Sequence, residues 1–140
     1  MANKVEREVG KSPLLPLGAG DVKYYDFSQN NSGGRWKVDE NYAENTIVAA
    51  RNAKEANYRA EELGIYFDGC ESGMDCDCCG DRWSSQWTES KDVEPLVYGE
   101  KPEKYLADSK YSMRESVIVH HADGTRETFK INRTKEPENE

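Results

Sequence analysis

The sequence predicts an α+β fold: a small antiparallel or mixed sheet, one main helix packed on a face, and a C-terminal β-hairpin. Two segments carry this expectation. Residues 45 to 69, "NTIVAARNAKEANYRAEELGIYFDG", read as strand, helix, strand, and residues 115 to 131, "ESVIVHHADGTRETFKI", alternate in polarity on both sides of Asp123 and Gly124. The chain has 140 residues, 36% apolar and 33% charged, which suits a single domain with a modest core.

Residues 1 to 20 end in Pro13, Pro16, Gly18 and Gly20 and are expected to form a flexible arm, with Leu14, Leu15 and Leu17 available for docking. A single domain is expected over residues 21 to 132. "VKYYDF" (22 to 27) has strand composition, and "RWKVD" (35 to 39) is a second candidate. Between them "SQNNSGG" tolerates positive φ and predicts a hairpin-like loop.

Thr46 to Ala50 supply the β-branched run of a strand. Asn52 and Glu55 then have the spacing of an N-cap and its capping-box partner, so a helix should begin at Ala53. Ala53, Ala56, Ala60 and Leu63 make one narrow apolar stripe, and Gly64 stands where a left-handed C-cap belongs. Ile65 to Phe67 should form the next strand.

Farther on, Leu96 to Tyr98 are a short strand candidate, and Pro102 suits the first turn of a short helix. At the C-terminal hairpin a two-residue turn pairs Ala122 with Thr125. Counting outward sets Ile118 opposite Phe129 and His120 opposite Glu127, with His120 in a surface pair. The acidic tail, residues 133 to 140, is expected to be disordered.

The formal charge of -8, from 27 acidic against 19 basic residues, argues against nucleic acid as a partner. No stretch approaches the ~20 apolar residues of a membrane span, and charges at positions 4, 6, 7, 8 and 11 break any apolar leader, so a cytoplasmic protein without a membrane partner is expected. There is no Gly-rich phosphate loop and no nucleophile elbow. His120 and His121 point to opposite faces of one strand, so enzymatic activity is not expected.

All four cysteines, Cys70, Cys76, Cys78 and Cys79, lie within ten positions. One reading makes them the ligands of a structural zinc, although C-x5-C-x-C-C departs from the two separated pairs that usually close over the ion. A three-cysteine site completed by an aspartate, by His120 or His121, or by water is geometrically easier. The nearby Glu71, Asp75, Asp77 and Asp81 raise thiol pKa values and oppose the thiolate, unless a bound cation reverses the sign. A vicinal Cys78–Cys79 disulfide would be strained, since neighbouring Cα atoms stand ~3.8 Å apart against the usual ~4.4 to 6.8 Å. In the plainest alternative Gly73 and Gly80 form tight turns, the thiols pack as small hydrophobes and Trp83 plugs the core. Asp75-x-Asp77-x-Cys79-Gly80 imitates half a calcium loop, but Gln86 stands where its bidentate glutamate belongs.

Aromatic and cationic groups, including Trp36, Trp83, Trp87, Arg35 and Arg82, suit either a protein partner or a stacked small ligand such as a nucleotide. At "SQNNSGGRW", "AKEANYRAEELGIYFDG" and "GMDCDCCGDRW" the chain resembles a family of small, mostly uncharacterised accessory proteins of tailed bacteriophages. The resemblance spans roughly residues 24 to 87. It rests on Cys76, Cys78, Cys79, Gly80, Asp81, Arg82 and Trp83, with Asn30, Asn31, Gly33 and Gly34 upstream; Cys70 is the least typical thiol.

The resemblance implies action in the cytoplasm of an infected bacterium and supplies no catalytic residues. The expected function is non-enzymatic: binding and modulating a host protein, in host takeover or anti-defence. The contact residues expected are Asn30, Asn31, Arg35, Trp36, Asp81, Arg82, Trp83 and Trp87. The alternatives are a nucleotide binder that sequesters a defence signal and, third, a metal-dependent hydrolase.

Overall fold

The computed structural model describes residues 3–18, 20–30, 36–108 and 114–132. Among the described residues five strands and three helices follow one another: β1 (Val5–Lys11), β2 (Lys23–Ser28), β3 (Asn45–Ala50), α1 (Ala53–Glu62), α2 (Gly69–Ser72), α3 (Pro102–Ala107), β4 (Ser116–His120) and β5 (Thr125–Ile131). The strands form one mixed sheet in the order β1-β5-β4-β3-β2, with β3 and β4 parallel and every other pair antiparallel. The α+β class, the main helix on a face and the C-terminal hairpin are thus present.

The main helix forms where its caps and stripe place it. Asn52 Oδ1 accepts from the Glu55 amide at 2.8 Å, and the Glu55 carboxylate returns to the Arg51 amide at 2.7 Å, one residue before the position a capping box uses. At the other end the Gly64 amide reaches the Glu61 carbonyl and the Ile65 amide the Ala60 carbonyl, with Gly64 at φ 103°, a Schellman closure. Ala53, Ala56, Ala60 and Leu63 pack with Tyr25, Phe27, Val48, Ala50, Ile65 and Trp83 on one face of the sheet. Small residues bring the helix close to the strands. On the opposite face Ile47, Val117, Val119, Phe129 and Ile131 pack beneath Val97 and Leu106, the latter from α3.

Several expectations are corrected. Residues 5–11, placed in a flexible arm, form edge strand β1 along the whole of β5. Ser12 to Leu17 are then fixed by backbone bonds from Ser12 to Gly124 and from Leu17 to Ala122, while Leu14 is buried. Ile65 to Phe67 do not form a strand: Ile65 enters the core, Phe67 stacks on Phe27, and Asp68 turns left-handed at φ 56°. The parallel neighbour of β3 is β4 instead, some seventy residues on in sequence. Residues 36–39 are not a strand, and the edge partner of β2 is β3. Leu96 to Tyr98 contribute a single bridge, Val97 with Glu100, across a turn in which Tyr98 and Gly99 both have positive φ.

The hairpin register is displaced by one residue. His121 faces Thr125 across a three-residue loop, with the His121 amide on the Thr125 carbonyl at 2.9 Å, and Val117 rather than Ile118 lies opposite Phe129. A two-residue type I′ turn needs positive φ at both Asp123 and Gly124, and only Gly124 adopts it, at φ 91°. The Asp123 carboxylate holds the loop by accepting from the Thr125 amide and hydroxyl at 2.9 and 2.6 Å.

His120 accordingly faces Arg126, and it is buried rather than at the surface. Its Nδ1 meets Ser12 Oγ at 2.8 Å and its Nε2 the Asn41 carbonyl at 2.7 Å. A carbonyl only accepts, so Nε2 carries the proton and Nδ1 accepts from Ser12. Burial pushes the imidazole pKa down to about 4, which keeps it neutral. Residues 133–140, where a disordered tail is expected, residues 31–35 of the expected hairpin-like loop, and residues 1, 2, 19 and 109–113 lie outside the described residues.

Candidate metal site and exposed aromatic surface

The cysteine turn is built from the α1 terminus outward. After Asp68 the chain makes the single-turn helix α2, closed by Gly73 at φ 87°. Gly69 is required there, because a Cβ on it would stand 1.8 Å from Asp75 Oδ2. The Asp75 carboxylate is a hub: Oδ1 accepts from the Tyr66 hydroxyl and Oδ2 from the Arg82 amide, both at 2.8 Å. Asp81 Oδ1 accepts from the Cys70 amide at 2.9 Å. The Cys79 and Gly80 amides both reach the Cys76 carbonyl, and Gly80 takes φ 86°. Asn30 seals the turn from the side, its amide group donating to the carbonyls of Cys79 and Asp81 at 2.9 and 3.2 Å.

This frame gathers three thiols. The sulfurs of Cys76, Cys78 and Cys79 all lie within 4.8 Å of one another, with 2.8 Å between Cys76 and Cys78 and 3.9 Å between Cys78 and Cys79. They form a donor set able to hold a metal ion, and two of the three are exposed. Cys70, expected as a fourth ligand, is not one of the set; its thiol donates to the Cys76 carbonyl at 3.3 Å. The Cys78 and Cys79 thiols stabilise a thiolate on Cys76 and lower its pKa, while the contacts of Cys78 with Cys76 and Cys79 push its own pKa up to about 11. Cys70 is also raised to about 11, by partial desolvation, by its contact with Asp81 and by the charges of Asp77 and Asp75.

A cavity of about 290 Å³ and another of about 240 Å³ flank the sheet. The second opens on the cysteine turn and is lined by Asn30, Met74, Asp75, Cys76, Cys79, Gly80 and Arg82. The first lies on the half of the sheet that α1 leaves uncovered, where Arg126, Thr128 and Lys130 of β5 share a face with Ser116 and Ile118. Glu8, Asp39 and Glu40 also line it and would repel a phosphate. The alternation of Arg126, Thr128 and Lys130 in the sequence is the signal by which this polar face could have been found.

The residues expected to contact a partner separate into groups. Asn30 and Asp81 meet, as Asn30 bonds the Asp81 carbonyl. Arg82 serves the fold: its side chain donates to Gln29 Oε1 at 3.0 Å and its backbone binds Asp75. Trp83 is not a contact residue, for it is 1% exposed and packs edge-on against Tyr42 in the core. Trp36 is half-buried with the Arg114 guanidinium 4.8 Å from its ring centre. Asn31 and Arg35 lie outside the described residues.

Trp87 alone of the three tryptophans projects, at 86% exposure. Its backbone is fastened on both sides. The Gln86 amide and carbonyl bond the Asn57 side chain at 2.8 and 2.9 Å, and Gln86 Nε2 donates to the Asp26 carbonyl. Two residues on, Glu89 Oε1 accepts from the Tyr25 hydroxyl and from the Ala53 amide, both at 3.0 Å.

A second polar chain was not foreseen. Tyr24 Oη meets His121 Nδ1 at 2.8 Å, His121 Nε2 meets Glu127 Oε1 at 2.6 Å, and Arg7 donates to Glu127 Oε2 at 2.6 Å. Burial pushes the Glu127 pKa up, but the bonds from His121 and Arg7 outweigh it and hold the carboxyl below its ordinary range. Three strands are stitched by this row, whose pairing depended on the true hairpin register.

No curated protein and no solved structure matches the chain. A family model described as a domain of unknown function, DUF7296, matches residues 22–136, which include the main helix, the cysteine turn and the C-terminal hairpin, and the chain therefore belongs to that family.

Proposed function

We propose that the chain is a non-enzymatic accessory protein of a tailed bacteriophage that acts in the bacterial cytoplasm by binding and modulating a host protein. The observation that carries this reading is Trp87, 86% exposed on a backbone pinned through Gln86 and Glu89. An aromatic side chain on a hydrogen-bonded backbone loses little entropy on docking, and tryptophan is favoured among the residues that dominate interface energetics. Such anchors cost about 2 kcal/mol or more on truncation, a weakening of roughly 30-fold. The bacteriophage assignment rests on the motif resemblance.

Affinity purification from bacterial lysate is the test. One stoichiometric host protein is expected on the wild-type chain, and Trp87→Ala should lose it with an unchanged melting temperature. Failure to recover any reproducible protein, or recovery indifferent to Trp87→Ala, overturns the reading.

We further propose zinc as the ion for Cys76, Cys78 and Cys79. Thiolates select soft or borderline ions, and a divalent cation offsets more of the local acidic charge than a monovalent one. In a zinc tetrahedron with Zn–S of ~2.3 Å the sulfurs stand ~3.8 Å apart. The Cys78–Cys79 pair already has that spacing at 3.9 Å, and the Cys76–Cys78 pair at 2.8 Å must open. Native mass spectrometry with metal analysis should find one zinc per chain. A metal-free protein with four freely titrating thiols refutes it.

A further inference from the structure

We infer that the zinc site is open, and that its fourth ligand comes from outside the chain as a neutral imidazole, the side chain of a histidine on a partner. This inference rests on the zinc reading. It follows from an account of the side chains that ordinarily bind zinc, the chain's four cysteines and two histidines and the carboxylates of the turn.

Three of the cysteines are the site. His120 is buried with Nδ1 on Ser12 and Nε2 on Asn41, and His121 is held between Tyr24 and Glu127, so neither ring nitrogen of either residue is available. Cys70 directs its thiol to the Cys76 carbonyl and falls outside the sulfur cluster. Among the described residues the carboxylates of the turn stand outside the sulfur cluster: Asp75 uses both oxygens within the fold, Asp81 Oδ1 holds the Cys70 amide, and neither Asp77 nor Glu71 places an oxygen within 4.8 Å of all three sulfurs. Among the described residues no carboxylate joins the cluster.

Four-coordinate zinc with three protein ligands keeps one open position. Cys76 and Cys79 line a cavity of about 240 Å³, which gives an incoming side chain its approach. Charge selects the donor. Zinc with three thiolates carries one net negative charge among Asp75, Asp77 and Asp81, so a fourth thiolate or a carboxylate adds to the repulsion. Neutral imidazole adds none, and it is a common zinc ligand.

The test uses the full chain, reduced and loaded with one equivalent of cobalt(II) as a visible reporter of tetrahedral thiolate coordination. Imidazole should shift the ligand-field bands and saturate at one per metal, whereas 2-mercaptoethanol at equal concentration shifts them less. Cys70→Ser should alter metal affinity less than threefold and keep the imidazole response. Cys76→Ser or Cys79→Ser should weaken metal binding more than about 100-fold, beyond the usual effect of an outer-shell change. Bands unmoved by imidazole, or a site destroyed by Cys70→Ser, show a closed site and overturn the inference while leaving zinc in place. Absence of bound metal refutes the zinc reading itself.

Discussion

Replacing Asp26 with asparagine should make the stability of this protein strongly pH-dependent between pH 6.5 and 4, where the wild type is nearly level. Asp26 lies on β2 with its carboxylate enclosed: Asn45 Nδ2 donates to its two oxygens at 3.1 and 3.2 Å, and the Ser28 hydroxyl to one of them at 3.5 Å. Burial pushes its pKa from 3.8 to about 6, against the opposing pull of Asn45, Arg114 and Ser28 and with a small addition from Asp92. A carboxyl whose folded pKa is raised contributes stability below its unfolded pKa and loses it as pH rises through the folded value. At ~1.4 kcal/mol per pH unit, ionised Asp26 costs about 3 kcal/mol at pH 7.

His120 has the opposite sign. Its folded pKa is lowered from 6.5 to about 4 by burial, with Arg126, Arg59 and His121 adding to the effect. It contributes stability above pH 6.5 and loses about 3 kcal/mol as pH falls through 4. Between pH 4 and 6 the folded chain has therefore gained a proton on Asp26 and lacks one on His120, and the two slopes cancel. Urea denaturation at half-unit pH steps measures this. Asp26→Asn should be about 3 kcal/mol more stable than wild type at pH 7 from the charge effect, and that advantage should vanish by pH 4. Parallel profiles for the two proteins would refute the assignment of the raised pKa to Asp26.

Trp83→Ala removes the largest buried side chain and should cost about 3 to 5 kcal/mol in urea unfolding, which separates it from Trp87→Ala at within about 0.5 kcal/mol. Gly69→Ala drives a Cβ into the Asp75 carboxylate and should cost about 1 to 3 kcal/mol while weakening metal uptake. Iodoacetamide at pH 8, followed by peptide mass mapping of metal-free protein, should label Cys76 before Cys70 and Cys78, whose thiols are raised to about 11. Equal labelling of all three would contradict the ordering of their acidities.

Local signals were legible and long-range pairings were not. The N-cap at Asn52, the alanine stripe and the C-cap at Gly64 each depend on residues within one or two turns, and all three are present. The strand expected at Ile65 to Phe67 failed because an apolar triplet reads the same whether it pairs with a neighbour or, as here, drops into the core beneath a helix. The hairpin register failed on one dihedral: Asp123-Gly124 is compatible with two loop lengths, and the choice lay with the Asp123 carboxylate, which binds Thr125. Strand β1 was hidden by its composition. "VEREVGK" is a charged, exposed edge, the kind of strand that resists pairing with foreign chains and so resembles a loop in sequence. At the site, sequence ranked Cys70 as the least typical thiol, and the structure leaves it out of the sulfur cluster. It left Trp83 with two readings, core plug and partner contact, because an irregular segment has no period to say which tryptophan faces inward, and the structure supports the core plug.

The acidity of the cysteine turn looked like an obstacle to metal binding, and the geometry changes what that acidity does. Asp75 and Asp81 accept from Tyr66 and from the amides of Arg82 and Cys70, bonds that fix the backbone on which the thiols stand. Their charge is the electrostatic consequence of a structural task. With Gly69 leaving room for Asp75 and Asn30 holding the carbonyls of Cys79 and Asp81, the frame has its own hydrogen bonds. A metal bound there would add to a preorganised site, so metal removal should change thiol reactivity at Cys76, Cys78 and Cys79 far more than it changes the urea midpoint. Circular dichroism and urea unfolding before and after a chelator check this: unfolding of the whole chain on chelation would show that the ion, and not the aspartates, holds the turn.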